Sequence, residues 1–443
     1  MRLQIAPLFT STLLFWGALA TGQFAQAQID PGPRRGPISA GRPLAGLDAN
    51  QIAYFEEGLD RFREVDSVKG TEPNADGKGL GPRFNMNSCA GCHAHPADGG
   101  SSPAINPQIA VATRFGALNT IPQFLRPDGP VRVARFVRNA DGSPDGGVHN
   151  LFVVTGRSDA QGCDISQPDF AAAAQRNNLS LRIPTPIFGG GLIEAIPDAT
   201  LLDNLNANQQ LKRQLGIRGR LNHSGNDGTV TRFGWKAQNK SLLLFGGEAY
   251  NVEQGVTNDL FPNERDTTPG CVFNGAPEDH GDFAASDAVP SMSDLNLFTF
   301  FMKLVAPPQA APPDPSVARG RQAFADAGCA ACHSAVLRTG LSSIEALSEK
   351  QVPLYSDLAL HDMGRNLADG VDQGEARGGD WRTAPLWGVG QRLFFLHDGR
   401  TGDLVQAIRE HRGPGSEGSR SVDNFDSLPP QWKQDLINFL RSL

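Results

Sequence analysis

CAGCH, residues 89–93, and CAACH, residues 329–333, decide how this chain is read. With six Cys and nine His among 443 residues, chance supplies about 0.002 Cys-x-x-Cys-His motifs, so two copies are not an accident of composition. A disulfide accounts for each pair of thiols but leaves the histidine unexplained. Zinc needs four ligands together, and paired Cys-x-x-Cys units that share one ion usually stand about 15 to 20 residues apart; here the two motifs lie at opposite ends of the chain. Covalent haem c attachment uses every position: two thiols add to the haem vinyl groups, and the adjacent imidazole becomes an axial ligand of the iron. The expectation is therefore two haems c, held by Cys89, Cys92 and His93 and by Cys329, Cys332 and His333.

Such attachment requires export, and the first residues carry the signs of it. MRLQIAPLFTSTLLFWGALATGQFAQAQ has a charge at Arg2, an apolar stretch from Ile5 to Ala20 and the small-residue site Ala25-Gln26-Ala27. This is the order of a secretory signal peptide over 1–27, and it points to the periplasm. The apolar stretch is too short for a stable membrane span, and no later run is long enough. In an oxidising compartment the two remaining cysteines, Cys163 and Cys271, are expected to form a disulfide. The formal net charge of −7, with no basic stripe, gives no reason to expect nucleic acid; small molecules and a redox partner protein fit better.

With 50 Gly and 32 Pro, beside 39% hydrophobic and 20% charged residues, the chain reads as globular and loop-rich. VAPPQAAPPDPS, 305–316, is a Pro-rich linker. It divides an N-terminal haem domain, 28–304, from a C-terminal cytochrome c domain, 317–443. In the latter, SVARGRQAFADAGCAACH predicts a helix leading into the haem motif. PPQWKQDLINFLRSL predicts a terminal helix with Trp432, Leu436, Phe439, Leu440 and Leu443 at helical spacing. Upstream of the first motif, Leu47, Ile52, Phe55, Leu59 and Phe62 mark one face of another helix. Short runs such as PVRVARFV and HNLFVVTG read as strands between Gly-rich turns. The expected fold is mainly α: two cytochrome c-like haem domains, the first enlarged by a loop-rich, β-containing insertion.

Several further stretches carry a resemblance: GLGPRFNMNSCAGCH (79–93), RIPTPIFGGGLIEAI (182–196), TRFGWKAQ (231–238), HDMG (361–364), WRTAPLWGVG (381–390) and LHDGRTGDLVQAIREH (396–411). Together they resemble the di-haem oxidoreductase, putative peroxidase family, also called thiol oxidoreductases, over nearly the whole mature chain. That family is distantly related to the bacterial dihaem cytochrome c peroxidases and to the haem enzyme that matures methylamine dehydrogenase. The resemblance implies an oxidoreductase with one iron open to peroxide and a second that supplies electrons.

The distant peroxidases place a methionine ligand twelve positions after the Gly of an HDG motif. Here that motif is His397 to Gly399 and the twelfth residue on is His411, so the resemblance assigns His411 as the sixth ligand of the second haem. Bis-His ligation should lower the potential relative to Met/His. Met363 and His397 are the alternatives. For the first haem, His95, His149, His223 and His280 have no spacing that selects one, and an open iron is expected there. NVEQGVTNDLFP (251–262) resembles the segment that carries an acid/base glutamate, which implies Glu253 in that role; the relatives show Glu-Met-Gly where this chain has Glu253-Gln254-Gly255. Trp235 matches an indole that bridges the haems. A Ca2+ ion between the domains would be a further cofactor, but no motif supports it. The competing readings are a non-enzymatic dihaem electron carrier and a dihaem oxidase or oxygenase of an organic or sulfur compound. The size of the N-terminal region favours an enzyme over a carrier.

Overall fold

In the computed structural model, residues 28–36, 39–282, 284–287 and 291–443 are described; the signal-peptide reading of 1–27 falls outside them. The chain builds one unit twice, and the unit follows from a four-residue spacing that recurs on four helices. The Ala49–Arg63 helix is closed at its start by a reciprocal cap, with Asp48 accepting from the Gln51 amide and the Gln51 side chain accepting from the Asp48 amide. Its Gly58 faces the Leu297 carbonyl of the Asp294–Leu304 helix, where a Cβ would collide. One turn further on, Phe62 meets Phe301 at 4.8 Å and His93 at 6.1 Å.

The second copy reproduces each part. The Pro315–Asp326 helix brings Gly320 against the Asp435 carbonyl of the Pro430–Ser442 helix. Phe324, one turn on, meets Phe439 at 5.5 Å and His333 at 6.1 Å. Glycine allows the two backbones to touch, and this proximity brings the next turn's phenyl rings together above the histidine. Phe301 and Phe439 are fully buried, worth about 1.5–3 kcal/mol each. The terminal helix keeps its expected face, with Leu436, Phe439, Leu440 and Leu443 buried and Trp432 half-buried.

Helix is the principal regular element, with thirteen α-helices among the described residues. Strands are only two to four residues long, and turns carry much of the remaining chain. PVRVARFV supplies the central strand, Val133–Phe136, of a three-stranded antiparallel sheet. It pairs with Val148–His149 and with Leu179–Arg182, in a register that sets Arg135 opposite both Val148 and Ser180 and Val133 opposite Arg182. Residues 305–316 are less of a free linker than their prolines suggest. Pro315 already stands in the first turn of a helix capped by Asp314, and the Ala306 and Ala311 amides donate to the carbonyls of Arg42 and Ser442.

Cys163 and Cys271 form the expected disulfide across 108 residues, both within the second hydrophobic cluster. Replacing both by Ser should lower unfolding free energy by about 2–5 kcal/mol. Urea denaturation checks this; an unchanged midpoint would mean that the cluster holds the two segments together without the bond. No helix among the described residues is long and apolar enough to cross a membrane.

Candidate functional site

Each Cys-x-x-Cys-His motif opens on its own cavity. The first motif's one-turn helix, Cys89–Cys92, is followed by His93, whose Nδ1 bonds the Gly100 carbonyl at 3.0 Å. In the second, His333 Nδ1 bonds the Tyr355 carbonyl at 2.9 Å. Burial pushes both imidazoles down to about 4, so at neutral pH each is uncharged. With the proton on Nδ1, the lone pair lies on Nε2, the form a metal binds. Cys89, Cys92, Cys329 and Cys332 are all unpaired. Burial raises the pKa of all four, that of Cys329 to about 12. Because the pairs line separate cavities, they cannot together complete one zinc site.

The cavity at Cys329–His333 takes in about 1360 Å³ of non-protein space and that at Cys89–His93 about 1040 Å³, volumes that include space open to solvent. The larger is walled mainly by apolar side chains, among them Phe324, Leu367, Leu386, Val389 and Phe395. It also receives Arg382, whose buried Nε finds no acceptor within the protein. An apolar cavity lined by a histidine, two thiols and a guanidinium that donates through Nη1 to the Arg232 carbonyl but has its Nε free fits a flat macrocycle that carries acidic groups. The smaller cavity has the same arrangement of histidine and thiols among apolar side chains, including Phe62, Val131, Val133, Ile187 and Phe245.

The two cavities differ in what else they hold. His411, Met363 and His397 all line the one that contains His333. His411 follows the Leu404–Glu410 helix and bonds the Ala407 carbonyl through Nδ1 at 2.8 Å, the same arrangement as His333; burial lowers its pKa. The His397 ring instead stacks on Trp381 at 3.9 Å. The other cavity contains no histidine besides His93. None of the four histidines considered for it lines it: His95 bonds the Gln391 carbonyl, His149 pairs with Asp145 against Phe136, His223 pairs with Glu375, and His280 is exposed. What it does contain is Glu253, from the Tyr250–Gln254 turn. Burial raises that carboxyl to about 7, against the pull of Arg135.

Trp235 lines both cavities. Its indole N–H donates to the Ile183 carbonyl at 2.8 Å, and its ring stands nearly perpendicular to those of Trp381 and His397, with centroids 6.3 and 6.5 Å away. Lys236 Nζ lies 4.1 Å from the Trp381 ring, held by Asp369, which also pairs with Arg182. Sequence reasoning missed Arg135, Trp381 and Arg382. For Arg135 a signal existed, since Val131, Val133 and Arg135 share one parity in PVRVARFV and strand side chains alternate between faces. Among the described residues, one group of His, Cys, Asp and Glu gathers ligand atoms within 4.8 Å: Cys332, Asp357 and His361. His361 is clamped there between Asp357 and Glu417, which is not the all-oxygen shell that Ca2+ takes.

Two thiol-and-histidine cavities with one indole shared between them outline a protein of two redox centres. A family model described as di-haem oxidoreductase, putative peroxidase, matches residues 136–443, and the chain belongs to that family. It is thus an oxidoreductase of the two-haem class. The match includes the second motif, Trp235, Glu253 and His411, while the first motif lies upstream of it. No curated protein matches the sequence. Among solved structures, a MauG-like protein associated with microbial copper homeostasis is similar at 19% identity and TM-score 0.24, over 36% of this chain and 55% of that one. Kuenenia stuttgartiensis hydrazine synthase is similar at 13% identity and TM-score 0.34, over 99% of this chain and 100% of that one. The diheme peroxidase BthA from Burkholderia thailandensis E264 is similar at 14% and 0.36, over 91% and 86%. Likenesses this distant carry no functional argument.

Proposed function

We propose that the chain is an exported, periplasmic, peroxidase-like oxidoreductase with two covalently attached haems c. Cys89, Cys92 and His93 would hold one in an N-terminal domain, 28–304, and Cys329, Cys332 and His333 the other in a C-terminal domain, 317–443. When bound, haem supplies an iron that takes a peroxide oxygen at the N-terminal centre and relays electrons at the C-terminal one. The observation that carries this reading is the asymmetry of the cavities. Met363 and three further histidines, His361, His397 and His411, line the C-terminal one, whereas the N-terminal one offers a buried carboxyl able to move a proton near neutral pH. In that division of labour Glu253 takes the proton of hydrogen peroxide and returns it to the leaving oxygen. His411 would be the second protein ligand holding the C-terminal haem, and Trp235, which lines both cavities, would lie on the electron path between the centres. A redox partner protein supplies the electrons.

The carrier reading has one observation in its favour: Met86 and Met302 line the N-terminal cavity, and a thioether there would close that iron too. Spectroscopy separates the two. The mature protein should carry two haems by pyridine haemochrome assay, retained on denaturation, and its oxidised spectrum should hold a high-spin component that cyanide converts to low spin. One haem, or haem released on denaturation, contradicts covalent attachment at both motifs. A spectrum that is wholly low-spin and indifferent to cyanide leaves a carrier.

A further inference from the structure

The N-terminal cavity contains a cation that the acid/base scheme does not use. Arg135 is 9% exposed. Its Nη1 donates to the Gly146 carbonyl at 2.6 Å, and its buried Nε finds no acceptor within the protein. The strand alternation that turns Val131 and Val133 toward the cavity turns Arg135 the same way, and all three line it. The position of Arg135 relative to Glu253 is fixed by a short chain of contacts. Arg135 pairs in register with Val148. Arg265 donates both to the Val148 carbonyl and to the Val252 carbonyl, tying that strand to the residue before Glu253. Glu253 in turn accepts the Asn85 amide at 2.6 Å through its own carbonyl. A guanidinium and a carboxyl thereby line one cavity, and each acts on the ionisation of the other.

A buried guanidinium is costly unless an anion or well-placed acceptors compensate it. Gly146 supplies one acceptor. Arg135, lowered by burial to about 10, keeps its charge at neutral pH, and three carboxyls act on it, Glu248 ahead of Glu253 and Asp369. Glu248 accepts from Asn239, Asp369 pairs with Arg182 and Lys236, and burial holds Glu253 at about 7, so none of the three is committed to Arg135 as a full counter-ion.

We propose that Arg135 is a catalytic residue of the peroxide-reacting face, where its guanidinium stabilises the negative charge of an anion bound in the N-terminal cavity and of the oxygen that leaves peroxide. This deepens the reading of the N-terminal centre as the open one and depends on it. In the reaction, Glu253 takes one proton from hydrogen peroxide, and the O–O bond breaks with its electron pair going to the outer oxygen. That oxygen carries the developing charge opposite Arg135, recovers the proton from Glu253 and leaves as water. Overall, one peroxide, two protons from solvent and two electrons from the reduced donor protein become two waters. A fixed donor aimed at developing charge in a site that excludes water is the kind of interaction that speeds bond cleavage most.

The test uses the oxidised holoprotein and fluoride, an anion that needs a hydrogen-bond donor beside the iron, read from the high-spin absorption band. Carbon monoxide on the reduced protein is the uncharged control. Arg135→Leu should weaken fluoride binding about 10- to 100-fold, the range of a lost charge-assisted hydrogen bond, and leave carbon monoxide affinity unchanged. Arg135→Lys should recover part of the loss. Arg135→Gln, which can still donate to Gly146, takes the place of the Leu variant if that one does not accumulate with two haems. Unchanged fluoride binding together with a shifted midpoint potential would make Arg135 a partner of the haem's acidic edge and overturn the proposal. Equal weakening of fluoride and carbon monoxide would reduce it to packing. If the wild type binds neither ligand at the N-terminal haem, the open-iron reading itself fails.

Discussion

Glu253→Gln is expected to lower peroxide-dependent oxidation of a reduced donor about 10²- to 10⁴-fold, the usual worth of a positioned acid/base, with both haems in place and reducible. The substitution keeps the shape of a side chain held in a one-turn segment that ends at Gly255, whose φ of 75° suits glycine. The main-chain bonds to the Asn85 and Met86 amides do not depend on the carboxyl. Only proton traffic is lost. Because burial raises Glu253 from 4.5 to about 7, and the base form starts the reaction, kcat/KM should rise with pH through about 7 in the wild type; this limb should vanish in the variant. The sign for stability is opposite. Between pH 4.5 and 7 the folded state binds a proton that the unfolded state has released, so this carboxyl's contribution falls as pH rises across that window. Glu253→Gln should therefore be at least as stable as wild type near pH 8, and a stability loss there would mean that its activity defect reports unfolding. Turnover that survives intact in a stable variant would remove Glu253 from the chemistry.

The parts of this protein that were legible in its sequence are those that local spacing specifies. Cys-x-x-Cys-His is a five-residue pattern, and each copy opens on its own cavity. The helix through Phe55 and Phe62 shows in its apolar period, and both residues are buried. That period does not reveal its partner. Gly58 and Gly320 matter because carbonyls 239 and 115 positions further along the chain lie against them, and nothing local announces such a crossing. The histidines were ambiguous for the same reason, since His95 is accounted for by a carbonyl 296 positions away. The Trp381 arrangement is likewise assembled from distant segments, with Lys236, Arg182 and His397 converging on one ring. Residues 305–316 misled in a different way. Their prolines exclude regular structure but not docking, and the amides of Ala306 and Ala311 are tied into the body of the protein.

His411→Gly should convert the C-terminal haem from low to high spin while both haems stay attached, because attachment depends on Cys329 and Cys332 and not on the sixth ligand. His411 is favoured over its neighbours by how its ring is held. Metal-binding histidines commonly donate one ring N–H to a backbone carbonyl, which fixes the tautomer and aims the other nitrogen. His333 does so with Tyr355 and His411 with Ala407, and the two rings line one cavity, with His411 close enough to act on the ionisation of His333. His397 has its face committed to Trp381. Met363 also lines the cavity, but no fixed hydrogen bond aims a thioether as Ala407 aims the His411 ring. Loss of an imidazole ligand should also move the midpoint potential, since axial ligation is a principal lever on it, and added imidazole should restore the low-spin spectrum by filling the space that glycine leaves. Spin state is read by absorption and electron paramagnetic resonance of the oxidised protein. A persistent low-spin signal with a raised potential would identify Met363 as the ligand; one with an unchanged potential would point to His397.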